Sequence, residues 1–155
     1  MSFTTAHHSL VASIRRPIDA WFDTRDDGRA IAILLLLFVA LWTLFQVVSR
    51  ASIDLHPDMV EIYAWSQHPS GGYYKHPPLG ALMAAAWFAI FPVANWSFDL
   101  MAMVNAAIAL FAVYKIARLY LSGDKPLLVP LFLLLTPFYQ FHAQRFGANQ
   151  PLLST

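Results

Sequence analysis

The sequence contains no cysteine. That removes disulfides, thiolate nucleophiles and thiolate metal sites from consideration. Charge is scarce as well: only 12% of the 155 residues are Asp, Glu, Lys or Arg, against about a quarter in an ordinary soluble domain. The basic residues form no patch interleaved with aromatics and the formal net charge is +1, so nothing favours nucleic acid as a partner. No P-loop or other phosphate-cradling glycine motif occurs, which leaves no sign of a bound nucleotide. No small-x-small cleavage pattern follows the first apolar run, so the N-terminus does not read as a removable signal peptide.

What is present in excess is apolar. The chain is 58% hydrophobic with a mean hydropathy of +0.51, and the excess is concentrated in runs. Ala30–Val48, AIAILLLLFVALWTLFQVV, carries no charge and is long enough to cross a hydrocarbon core as a helix. Arg15, Arg16, Arg25 and Arg29 precede it, which favours an uncleaved first span with a cytoplasmic N-terminus. The fold class expected is all-α, a polytopic membrane helix bundle.

Residues 1–28 read as a cytoplasmic tail, in which Ile14–Phe22 has the weak amphipathic pattern of an interfacial helix. The first span is expected over 29–50 and a polar loop with a juxtamembrane helix over 51–78. A short partial helix follows over 79–92, then spans over 99–120 and 127–143. Residues 144–155 read as a second polar loop and the start of a further helix. Leu79–Phe91 holds about thirteen residues before Pro92, whereas a crossing needs roughly seventeen or more. If it crosses, Lys115, Arg118 and Lys125 lie on the non-cytoplasmic side. If it stays partial, they return to the cytoplasmic side, the arrangement that the bias of basic residues favours. Because the sequence stops within an apolar segment begun by Pro151-Leu152-Leu153, it reads as part of a larger bundle, inactive alone, with the remaining C-terminal part as its partner.

Chemistry concentrates in Ile53–Leu79, IDLHPDMVEIYAWSQHPSGGYYKHPPL. Pro57 suits the first turn of a helix, and Asp58 adds a carboxylate near its positive end. Asp58 and Glu61 stand three apart, which places both acids on one helical face. Such a carboxylate can take a proton from an attacking hydroxyl or hold a divalent cation beside a departing phosphate. Lys75, His76 and Arg145 can hold a phosphate oxygen through charge-assisted bonds, and Tyr or Trp rings can stack against a sugar. The bland alternatives are an interface helix whose acids face water, a His76 that only shapes the turn before Pro77-Pro78, and an Arg145 that merely anchors a span. Lys115 and Arg118 read as anchors, and Asn105 as a contact between helices. His56, His68 and His76 with Asp58 lack the tight ligand pair that a zinc site uses.

A resemblance carries the reading further. Asp58-x-x-Glu61-x-Tyr63-x-Trp65-Ser66-Gln67, followed by Gly72-Tyr73-Tyr74-x-His76-Pro77-Pro78-Leu79, resembles the first extracytoplasmic loop of family 39-type glycosyltransferases of the GT-C class. These include protein O-mannosyltransferases and lipid A aminoarabinose transferases, and the run is similar to a bacterial dolichyl-phosphate-mannose-protein mannosyltransferase-like branch. Thr136-Pro137-Phe138 and the run Phe146–Leu153 resemble that family's second loop motif.

The resemblance implies an integral membrane enzyme, in a bacterial inner membrane, with its site on the periplasmic or outer face. It would transfer a sugar, with inversion, from a polyprenyl-phosphate donor to a lipid, glycan or protein acceptor. Asp58 falls at the position of the family's candidate base, and Glu61 within the motif, although Met59 stands where some members carry a second acid. Tyr73, Tyr74, Lys75 and His76 would line the approach to the donor phosphate. Asn149 replaces the acid many members carry in the second loop. An amide cannot act as a base and ligates metal poorly, so a divalent metal, for which Asp58 is the candidate ligand, is left open. A transporter or a non-catalytic scaffold subunit are the other classes; the former would place ionisable groups near mid-membrane, where the longest spans have none.

Overall fold

In the computed structural model, residues 28–146 are described, apart from Ile53, Lys75, His76, Asp124, Phe138, Gln140 and His142. The expected tail with its interfacial helix and the loop from 147 onward lie outside the described residues. Five helices and no strands form among the described residues, in agreement with the all-α expectation.

Helix α1, Arg29–Ser49, opens behind Gly28, whose φ of 71° is left-handed, a conformation glycine adopts without a Cβ clash. Its 21 residues span about 31 Å at 1.5 Å per residue, close to the thickness of a hydrocarbon core. Ile31, Phe38 and Gln46 are buried and fall on one stripe, while Leu36, Leu37, Leu41, Leu44 and Val48 are more than 60% exposed. An apolar helix that buries so little against protein has the surface of a segment solvated by lipid.

Helix α2, Pro57–Ser66, starts at the proline that the sequence predicts, with His56 as its cap. Helix α3, Leu79–Phe88, has 10 residues, about 15 Å and half of what a crossing requires. Its end is a tightened turn: the Ile90 and Phe91 amides both donate to the Trp87 carbonyl at 3.0 and 2.9 Å. Pro92, which could not donate within a continuing helix, follows.

Helix α4, Asn95–Tyr120, starts four residues before the expected boundary at Asp99. The reason is tertiary. Ser97 is buried and accepts the Trp87 indole N–H at 3.0 Å. Phe98 is buried against Phe88 and Tyr63, with centroids 4.6 and 5.9 Å away. The polar Asn95-Trp96-Ser97 reads as a boundary only until those partners are seen, and the extra turn carries Asp99 inside the helix. Small residues at Ala102, Ala106, Ala109 and Ala117 line its buried face, where they let helices approach closely.

The packing shows α1 and α4 to be antiparallel. Ala30 and Ile31, at the start of α1, cluster with Tyr114 near the end of α4 and with Leu127. At the opposite end Arg50 lies beside Asp99. Helices α2 and α3 cover that opposite end, where Met59, Ile62 and Ala84 join Phe98 and Met101 in the larger core cluster.

Helix α5, Lys125–Leu134, follows a turn at Gly123, φ 66°. It is shorter than the expected span over 127–143. Pro130 lies inside it and removes one backbone donor. At its end the Leu135 and Thr136 amides bond three residues back, to Phe132 and Leu133, at 3.1 and 2.9 Å. Thr136 precedes Pro137, a position biased away from helix. The chain beyond returns to the covered end, since Ala143 and Phe146 are buried in the same cluster as Met59 and Phe98.

Candidate functional site

The predicted acid stands on the first turn of α2. Pro57 starts the helix and needs no backbone donor there. The side chain of Asp58 is 63% exposed, with Oδ2 3.5 Å from His56 Nδ1. The Asp58 amide also lies 3.3 Å from that nitrogen. Arg145 Nη1 is 3.3 Å from His56 Nε2 on the other side of the ring. The imidazole therefore stands between a carboxylate and a guanidinium.

Arginine can only donate. The His56 ring can make its two polar contacts only in opposite tautomers: Nδ1 accepts from the Asp58 amide when the proton sits on Nε2, and Nε2 accepts from Arg145 when it sits on Nδ1. A doubly protonated ring would face Arg145 with an N–H and lose that contact.

Glu61 is half-buried on the same helix. The Tyr73 ring stacks on Trp65, with centroids 5.2 Å apart and planes 11° apart. Its hydroxyl lies 3.1 Å from the Trp65 carbonyl and 3.0 Å from the His68 carbonyl, and it accepts the Ser70 amide at 3.1 Å. Tyr73 thereby folds the loop back onto α2. Tyr74 is fully exposed. Lys75, His76 and Asn149 lie outside the described residues. Of the predicted residues, then, the fold brings Asp58 and Arg145 to one imidazole and holds Tyr73 by its own loop.

Beneath this contact lies a polar cluster that the sequence reading missed. Arg50, just past the end of α1, donates from Nη1 to Gln46 Oε1 at 3.2 Å. It also donates from Nη2 to Gln144 Oε1 at 2.8 Å. Its Nη1 is 3.8 Å from Asp99 Oδ1, and the Asp99 side chain is only 6% exposed. In sequence Arg50 stands just past the first apolar run and Asp99 at the start of another. The available signal was their placement: an Arg closing one apolar run and an acid opening another meet if the runs are antiparallel. Gln144 ties the 143–146 segment to α1 and so sets the backbone from which Arg145 projects.

No group of three or more His, Cys, Asp or Glu side chains able to hold a metal occurs among the described residues. Asp58 has one imidazole beside it and a guanidinium next to that, a donor set that does not fit a divalent cation.

Two helices among the described residues are long and apolar enough to cross a membrane, and a mixed-charge site lies at one end of their antiparallel pair, features consistent with a helical membrane protein. A family model described as dolichyl-phosphate-mannose-protein mannosyltransferase matches residues 75–155. The chain belongs to that family of mannosyltransferase-type glycosyltransferases. The match takes in Lys75 and His76, the Thr136-Pro137 turn, Arg145 and Asn149; Asp58 and Glu61 lie upstream of it. No curated protein and no solved structure gives a significant match to the chain.

Proposed function

We propose that the protein transfers a sugar from a polyprenyl-phosphate carrier to a hydroxyl of a lipid, glycan or protein acceptor, at the non-cytoplasmic face and with inversion. The supporting observation is the exposed Asp58 carboxylate held one imidazole away from Arg145. Group transfer from a lipid phosphate needs a base on the attacking side and positive charge on the departing side. Asp58 takes the acceptor proton as the acceptor oxygen bonds to the anomeric carbon. The carbon–oxygen bond to phosphate breaks with its electron pair, and Arg145, with Lys75 from the first loop, binds the leaving phosphate. Family membership supports the reaction class. Burial of Ala30 and Ile31 beside Tyr114 supports a topology in which Arg29, Lys115, Arg118 and Lys125 share the cytoplasmic side. The donor, the acceptor, the bacterial inner membrane and the periplasmic face are parts of this reading.

The test is transfer from polyprenyl-phosphate mannose by the whole membrane protein, for wild type and Asp58→Asn. A loss of about 10²–10⁴-fold with unchanged thermal midpoint is the effect expected of removing a general base. Equal rates in the two proteins would remove Asp58 from the mechanism. Absence of transfer from any lipid-phosphate donor would favour a scaffold.

A further inference from the structure

The far end of the α1–α4 pair, away from Asp58, holds a cavity that the transfer mechanism does not use. It has a volume of about 340 Å³ and lies between the last turns of α4 and the start of α5, with Tyr114, Arg118, Ser122, Gly123, Pro126 and Leu127 in its lining. Tyr114 and Leu127 are buried and form its apolar floor. Both also pack on Ala30 and Ile31, which brings the start of α1, with Arg29, to the same end.

The charges define the ligand class. Arg118 is exposed, and its guanidinium lies 6.0 Å from the centroid of the Tyr114 ring. Among the described residues no carboxylate pairs with it, and no acid lines the cavity. Residues 114–127 carry Lys115, Arg118 and Lys125 against one acid, Asp124. Arg50, at the other end of the pair, is already engaged by two amides and a carboxylate. Arg118 rests on an aromatic ring and keeps its donors for an anion. A guanidinium meets phosphate oxygens with two parallel N–H groups, and the Ser122 hydroxyl can add a third donor.

The level of the cavity indicates where the anion comes from. Leu119 and Tyr120, on the last turn of α4, are 78% and 81% exposed, and Ile116 is 56% exposed. In a membrane helix such side chains lie against lipid, and a tyrosine marks the headgroup boundary. The cavity therefore opens at the depth of phospholipid headgroups, where basic pockets between helices bind anionic lipids. Its volume falls at the lower end of small-molecule sites, about 300–1,000 Å³, and exceeds what a lone phosphate fills.

We propose that this cavity seats the phosphodiester headgroup of an anionic phospholipid, with Arg118 as its main ligand and Ser122 as a further donor. Such a seat requires neither the base nor the sugar donor assigned above.

The experiment places the whole protein in nanodiscs of phosphatidylglycerol and phosphatidylcholine in equal parts and reads the lipid it retains by native mass spectrometry. Thermal midpoints are recorded for each variant. The nanodiscs are equilibrated in about 0.5 M salt, where screening confines diffuse attraction to a few ångströms. Wild type is expected to retain phosphatidylglycerol in preference to phosphatidylcholine. Arg118→Gln should weaken that preference about tenfold or more, the loss of one charge-assisted contact. Lys115→Gln removes the same charge from outside the lining and should stay within about twofold of wild type. Should Arg118→Gln fail to fold, Ser122→Phe decides, because it obstructs an exposed rim without changing charge and should lose the preference too. Equal losses in Arg118→Gln and Lys115→Gln would show diffuse surface attraction and overturn the seat. So would a wild type with no preference, or folded Arg118→Gln and Ser122→Phe variants that keep it. A preference abolished by millimolar inorganic phosphate would assign the cavity to a free anion and overturn the lipid assignment.

Discussion

The two ends of the α1–α4 pair differ in kind. At one end the described charged residues, Arg29, Lys115, Arg118 and Lys125, are all basic and exposed. Arg118 is 6.0 Å from the Tyr114 ring, an arrangement worth only about 0.5–1 kcal/mol when exposed. At the other end cations and anions are interleaved: Arg50, partly buried among Gln46, Gln144 and the buried Asp99, and the exposed Arg145 across His56 from the exposed Asp58. A run of one sign in solvent sets orientation in a membrane. Burial of both signs costs desolvation and is retained only where other groups satisfy them, so chemistry is expected at the mixed end. The aromatic packing follows the same division, with Tyr63, Phe88 and Phe98 clustered beneath α2 and α3.

The contrast breaks most readily at the mixed end. After the loss of transfer in Asp58→Asn, the largest effect is expected from Arg50→Ala, which leaves Asp99 buried without its cation. We expect a loss of about 3 kcal/mol, read as a drop in thermal midpoint in detergent. Adding Asp99→Leu should restore much of it, and a double-mutant cycle gives the coupling. Additive losses would show that the pair does not interact. Next, Ala106→Leu inserts a large side chain where α4 is 1% exposed. Overpacking should cost about 1–3 kcal/mol, whereas the same change at the exposed Ala32 should leave the midpoint nearly unmoved.

Smaller effects sharpen the assignment within the first loop. Tyr73→Phe keeps the stack on Trp65 and removes the hydroxyl from the Trp65 and His68 carbonyls. A cost of about 1 kcal/mol and faster amide exchange at Ser70 are expected, while Tyr74→Ala should change neither. If Tyr73→Phe instead left exchange unaltered and altered only donor affinity, its role would be in the site rather than in the loop. Least of all, Lys115→Gln at the basic end should change both stability and transfer by less than about twofold. A large loss there would erase the distinction between the two ends.

Much of the helical framework is legible in sequence, because its causes are local. The charge-free run from Ala30 to Val48 predicts α1 almost to the residue, and Pro57 predicts where α2 begins. What the local pattern does not show has more than one cause. The earlier start of α4 depends on Ser97 meeting Trp87 and on Phe98 entering the aromatic cluster. The shortness of α5 is written partly in Pro130 and Thr136-Pro137, although a continuous apolar composition conceals it. The bridging role of His56 depends on Arg145, which stands 89 residues later.

By itself, then, the sequence determined that this chain is a bundle of apolar helices and where its polar loop begins. Those properties follow from composition, periodicity and proline, which act over a few residues. Only the tertiary structure decided that Arg50, Gln46, Gln144 and Asp99 form one cluster and that Asp58 shares an imidazole with Arg145. Antiparallel packing of α1 on α4, and the return of the chain past Pro137, bring together groups that no local pattern connects.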